Sequence, residues 1–174
     1  GGTILAVPNT EDKPFWPWET VCYGDPTDLL ARFWACTQAH RHRGRSLTHI
    51  IRVTGDCPLL DVGIARAVVE TALSGSWDIV HTTPLLDGLD VEVFTLSALA
   101  RAYRGATTPK DREHVTPWMR RNLVAKGFSL PELGQIHWSV DEPKDLEFVR
   151  AVYAACSHCA AGVPHHTNSA TSIG

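Results

Sequence analysis

Two aspartates occupy matched places along the chain. Asp56 lies within Arg52-Val53-Thr54-Gly55-Asp56-Cys57-Pro58-Leu59, after the β-branched run Thr48-His49-Ile50-Ile51 and before a helix-like pattern that begins at Asp61. Asp141 follows Gln135-Ile136-His137-Trp138-Ser139-Val140 and precedes Glu142-Pro143-Lys144-Asp145, a second helix start. Each reads as a carboxylate just past the end of a strand, where open α/β sheets bind their ligands. If those strands are neighbours, the two carboxylates converge. Hard cations such as Mg²⁺ are held by one or two carboxylates together with phosphate oxygens. The plainer reading is that each Asp only caps the helix after it. For Asp141 alone capping is the better account; for a matched pair it is not.

Other clusters carry less specific chemistry. Leu89-Asp90-Val91-Glu92-Val93-Phe94 alternates, placing Asp90, Glu92 and Phe94 on one face and Leu89, Val91 and Val93 on the other. Two acids beside an aromatic suit either a polar pocket or a solvent-facing strand. Arg112-Glu113-His114 combines an anion binder with two proton-transfer groups. On a helix, Glu113 and His114 point about 100° apart, so only one of them faces any given site. Cys156-x-His158-Cys159, with His165 and His166, has no zinc-site spacing. The sequence contains no G-x-S-x-G, Walker A, G-x-G-x-x-G or H-E-x-x-H motif.

These residues need a scaffold, and 174 residues at a net charge of −3 suffice for one domain with a substantial core. The near-balanced charge gives no sign of a nucleic-acid partner, and no apolar run is long enough to span a membrane. Five scattered cysteines make no disulfide framework, so a cytoplasmic setting is expected. Strands are predicted at Thr3–Val7, Val21–Tyr23, Thr48–Ile51, Asp78–His81, Leu89–Phe94 and Gln135–Val140.

Helices are predicted between them. The first is capped by Asp25 with Pro26 at its first position, and buries Leu29, Phe33, Cys36 and His40. Arg41, Arg43 and Arg45 close it, suiting the negative end of the helix dipole. Asp61 caps the second, with Ile64, Val68 and Ala72 inward; Leu96, Leu99 and Tyr103 mark the third. Thr116-Pro117 opens one carrying Met119, Leu123 and Val124 to a stop at Gly127. The last starts after Asp141 and buries Leu146, Val149 and Val152. Phe15, Trp16 and Trp18 sit in a proline-rich loop and are expected to pack over a sheet edge. The alternation indicates an α/β fold with a mostly parallel sheet covered on both faces. Residues 1–156 read as the domain and 157–174 as a flexible tail.

Five pieces, in order, resemble the cytidylyltransferase family that activates acidic or unusual sugars, in particular its spore-coat polysaccharide branch, related to CMP-sialate and CMP-KDO synthetases. They are Gly24-Asp25 through Asp28-Leu29-Leu30-Ala31-Arg32, then Arg52 through Leu59, Asp87-Gly88-Leu89-Asp90-Val91-Glu92-Val93-Phe94, Arg112-Glu113-His114-Val115-Thr116-Pro117, and Trp138 through Glu147. Together they cover roughly residues 3–153.

The resemblance implies a nucleotide-diphosphosugar-transferase fold, a Rossmann-like three-layer α-β-α sandwich. It implies transfer of CMP from CTP to a sugar with release of pyrophosphate. By the same analogy Asp56 and Asp141 bind Mg²⁺ and act in catalysis. Arg52, Thr54, Gly55, Asp87, Gly88, Asp90, Glu92, Arg112, Glu113, His114 and Thr116 bind substrate. The family also has a first strand followed by a glycine- and base-rich loop, similar to A-R-x-G-S-x-R-L-x-G-K, that cradles the triphosphate; the sequence contains no counterpart. The expected consequence is a gap or open edge in the sheet, favouring a homodimer. An inactive relative that binds a sugar or a partner is the alternative expectation.

Overall fold

The computed structural model describes residues 3–9, 21–42, 44, 46–83, 88–129 and 137–160. In chain order the elements are β1 (Leu5–Pro8), β2 (Val21–Gly24), α1 (Leu29–His42), β3 (His49–Arg52), α2 (Val62–Ser74), β4 (Ile79–Thr83), β5 (Glu92–Thr95), α3 (Leu96–Gly105), α4 (Pro109–His114), α5 (Pro117–Asn122), β6 (Ala125–Ser129) and α6 (Pro143–Ala160).

Four strands form a sheet in the order β3-β5-β4-β6. β5 is antiparallel to both β3 and β4, while β4 and β6 are parallel, so three strands run one way and β5 opposes them. β1 and β2 form a separate parallel pair. Among the described residues, β1 and β3 each have a strand partner on one side only.

Both faces of the larger sheet are covered. Val80 and Val93 pair across β4 and β5 and point toward α2, where Val68 and Ala72 bury themselves. Ile79 and Phe94 point the other way, into a core built with Leu30 of α1, Ala98, Leu99 and Ala102 of α3, and Met119 of α5. Helix, sheet and helix thus give the expected three-layer α/β arrangement. The alternating stretch before and within β5 has no solvent face, because a layer of side chains lies on each side.

Several expectations need correction. α1 begins at Leu29, and its first turn is capped by Asp28, whose Oδ1 accepts from the Ala31 N–H at 2.9 Å. Asp25 instead accepts from the Thr27 and Asp28 N–H groups, closing an Asx turn ahead of the helix. Leu29 and Phe33 are only half-buried; Leu30, Arg32, Cys36, Thr37 and His40 form the buried side. Pro109–His114 is helical, and the helix from Pro117 stops at Asn122. Val124 then leads into β6, which contains Gly127 and pairs with β4. On α6, Val149 is buried but Leu146 is 39% exposed, and the helix runs to Ala160. His137 makes a lone bridge, and 138–140 are not a strand. Asp87, Phe15, Trp16, Trp18, Arg43, Arg45, Gln135, Ile136, His165 and His166 lie outside the described residues, as do the side chains of His158 and Cys159.

Candidate active site

β3 ends at Arg52, and the chain turns through Thr54–Cys57. The Cys57 N–H donates to the Thr54 carbonyl at 3.3 Å, and the Thr54 hydroxyl lies 3.0 Å from Cys57 Sγ. This turn exposes Asp56. The Val140 N–H donates to the Asp56 carbonyl at 2.8 Å, tying the segment before α6 to the segment after β3. Asp56 and Asp141 are therefore neighbours through their loops rather than through adjacent strands. Both line one cavity of about 460 Å³.

Gly88 makes that approach possible. Its φ is +93°, and a Cβ there would stand 2.5 Å from the Trp138 carbonyl carbon and 2.8 Å from the Ser139 nitrogen. Only glycine takes both the left-handed backbone and the contact. Trp138 packs on Leu89, completing the clamp.

The same cavity is lined by Arg52, Thr54, Cys57, Asp90, Glu92, Ser139 and, from α4 and α5, Lys110, His114, Pro117 and Arg120. Glu92 is 2% exposed and faces Arg52 directly across the β3–β5 register. Arg52 Nη1 donates to Glu92 Oε2 at 2.7 Å, the Thr116 hydroxyl donates to Oε1 at 2.6 Å, and Arg120 Nη2 stands 3.2 Å from the same Oε1. Burying a carboxylate this deep is tolerated only when it is hydrogen-bonded and paired in this way. Cys57 is held as a neutral thiol: burial pushes its pKa up, and the negative charges of Asp56 and Asp90 add to this.

Between α4 and α5, Val115 has φ +68° and ψ −53°, and the Thr116 N–H donates to the His114 carbonyl at 2.8 Å. This is a γ-turn of the strained hand, held by a fully buried β-branched residue. It turns His114 toward the cavity and Thr116 toward Glu92. The sequence carries no sign of it.

Of the residues expected at the site, Arg52, Thr54, Asp56, Gly88, Asp90, Glu92, His114 and Asp141 line the cavity; Gly55, Arg112, Glu113 and Thr116 do not. Gly55 is exposed in its turn. Arg112 Nε donates to Asp28 Oδ2 at 2.6 Å and Nη1 to the Ala106 carbonyl at 3.0 Å, so it joins α4 to the start of α1. Glu113 points to solvent while its neighbour His114 faces the cavity, as helical geometry requires. Thr116 acts through Glu92. Lys110, Ser139 and Arg120 were not anticipated; the four-residue spacing of Lys110 and His114 was the available signal, readable only once α4 is taken as a helix.

Asp141 is not simply a cap. Asp145 takes that role, its Oδ2 accepting from the Asp141 and Glu142 N–H groups at 3.1 and 2.7 Å. Those bonds, with His137, hold the Asp145 carboxyl below the usual carboxylate range. Asp141 Oδ2 accepts from the Ser139 hydroxyl at 2.9 Å and lies 3.5 Å from His137 Nε2. Its carboxylate is largely exposed, as Asp56 is, and both offer hard oxygen donors to one cavity. A divalent cation fits that donor set.

No family model matches the chain. An uncharacterised protein of Methanocaldococcus jannaschii is 36% identical over 99 residues, 57% of this chain; the match spans 39% of that relative's length. A cytidylyltransferase from Leptospira borgpetersenii aligns structurally over 84% of this chain and 71% of its own, with a TM-score of 0.65 and 20% identity. The two chains share one fold. A molybdopterin-guanine dinucleotide biosynthesis protein A from Archaeoglobus fulgidus has the same architecture, with a TM-score of 0.54 and 15% identity over 78% of this chain and 69% of that one. In open α/β sheets ligands bind beyond the carboxyl ends of strands, and Asp56 follows the end of β3 at Arg52. Among the described residues, no helix is long and apolar enough to cross a membrane.

Proposed function

We propose that this chain carries a metal-dependent nucleotidyl-transfer site of the sugar cytidylyltransferase kind, moving CMP from CTP to a sugar and releasing pyrophosphate. The observation that supports it most is the Val140–Asp56 backbone bond, which brings Asp56 and Asp141 to one cavity on a nucleotidyltransferase fold. In the reaction an acceptor oxygen bonds to the α-phosphorus while the bond to the bridging oxygen breaks. Asp56 and Asp141 would hold Mg²⁺, which supplies neutralisation of charge on the phosphates. The chain's own contribution is to position the acceptor against Asp90, His114 and Ser139 and to offset charge with Arg52, Lys110 and Arg120. The spore-coat polysaccharide setting and a cytoplasmic, dimeric protein belong to the same proposal.

A second reading is a sugar- or partner-binding module without transfer activity. Among the described residues the strands divide into two sheets and β1 and β3 share no ladder, which favours it. A thermal-shift titration and a pyrophosphate-release assay separate the two. Transfer predicts that CTP with Mg²⁺ raises Tm, that Asp56→Asn abolishes the rise, and that a member of a sugar panel triggers pyrophosphate release. No Tm change at millimolar CTP and no release with any sugar would sink it.

A further inference from the structure

We propose that the α4–α5 wall of the cavity carries a subsite for a dianionic phosphoryl group, made by Arg52, Arg120 and Lys110. Glu92 is the positioning residue that sets both guanidiniums. Arg52 and Arg120 approach the two oxygens of one buried carboxylate, at 2.7 and 3.2 Å. One carboxylate neutralises one guanidinium, so the Arg52–Arg120–Glu92 cluster carries an excess positive charge, and Lys110 lines the same cavity. A structural ion pair needs no such surplus. Arg120 Nε is also buried with no hydrogen-bond partner among the described residues, although the side chain borders the cavity and is 26% exposed. A buried guanidinium N–H without an acceptor is costly, and a ligand oxygen removes that cost.

Asp56, Asp90 and Asp141 line the same cavity as this cluster. Asp56 and Asp90 both act on the Cys57 thiol, and the Asp56 carbonyl accepts from the Val140 N–H beside Asp141. Guanidiniums fixed from two elements match the spread oxygens of a phosphoryl group better than a lone carboxylate. This inference rests on the transfer reading only for the source of the group, which is either a phosphate ester on the acceptor or the pyrophosphate.

Calorimetric titration of the whole chain, without Mg²⁺ or nucleotide and at constant ionic strength, tests it with inorganic phosphate, pyrophosphate, glucose 6-phosphate and acetate. Phosphate is expected to bind saturably and at least tenfold tighter than acetate. Arg120→Gln and Lys110→Gln should each weaken phosphate at least fivefold. Arg101→Gln, in an exposed pair with Asp78 outside the cavity, should not change it. Glu92→Gln should collapse the preference for phosphate over acetate, which lost stability alone does not do. Tighter glucose 6-phosphate assigns the subsite to the acceptor, and tighter pyrophosphate to the leaving group. Phosphate affinity unchanged in Lys110→Gln, or no binding up to about 10 mM, overturns the subsite; Lys110→Gln carries the test if Arg120→Gln does not fold. Phosphate binding without any pyrophosphate release would instead refute transfer and leave the subsite standing.

Discussion

Glu92 and Gly88 show how single side chains hold this site. Truncating Glu92 to Ala strands two guanidiniums beside a fully buried position. Removing one partner of a buried pair typically costs about 3–5 kcal/mol, because the charge left behind is uncompensated. Urea unfolding of Glu92→Ala should show a loss in that range, and a loss under about 1 kcal/mol would mean that Arg52 and Arg120 simply swing to water. Gly88→Ala meets a different obstacle, a positive φ together with backbone atoms of Trp138 and Ser139 where the methyl must go. We expect a loss of about 1–3 kcal/mol and a weakened response to CTP with Mg²⁺. Gly55→Ala, with nothing within 4 Å of the added methyl, should stay within about 0.5 kcal/mol of wild type. The sequence showed both glycines but could not rank them, because the contact that decides is with a residue 50 positions away.

Among the elements, α4 and α5 are held by a cap and a clasp. The Thr108 side chain accepts from the Asp111 N–H at 3.2 Å, and Arg121 Nη2 donates to both oxygens of Asp111, at 2.7 and 2.8 Å. The Arg121 bonds hold the buried Asp111 carboxyl below its ordinary value against the opposing effect of burial. A carboxyl lowered on folding stabilises the fold above its unfolded pKa, about 3.9, and that contribution fades as pH falls from there through the folded value. Asp111→Asn should therefore lie below wild type in Tm at pH 7, with the gap narrowing below about pH 4. A gap that widens on acidification would contradict the assignment. Caps were the most legible signals in the chain: Asp61 accepts from Ile64 at 2.8 Å where a helix start was expected. The same cue failed at Asp25, since Asp28 offers an equal cap three residues on and pattern alone cannot choose. β6 was missed for a different reason. Ala125-Lys126-Gly127-Phe128-Ser129 has little intrinsic strand character, and its extended form comes from pairing with β4.

At the scale of the whole molecule, the two halves of the candidate site depend on very different parts of the fold. Asp90, Glu92 and Arg52 stand on or beside the doubly covered sheet. Asp141 stands at the foot of α6, whose Leu146, Phe148 and Tyr153 are 39%, 47% and 52% exposed, with Val149 and Asp145 its buried anchors. Among the described residues its ties to the site include the Tyr153 hydroxyl donating to the Pro58 carbonyl at 2.7 Å and the Val140–Asp56 bond. Among the described residues α6 buries few apolar side chains, and few such contacts mean a low opening free energy. Amides of α6 should thus exchange hydrogen well before those of β4, β5 and α3. A ligand that bridges Asp56 and Asp141 binds only the closed form, so CTP with Mg²⁺ should slow exchange in α6 and in residues 54–60 together. Tyr153→Phe, which removes one tie but leaves every cavity-lining residue in place, should speed α6 exchange and weaken that protection without altering the sheet. Equal protection of α6 and β5 in the free protein would show that the helix is held by more than these contacts. Slowed exchange at 54–60 alone would show that Asp141 does not take part in binding.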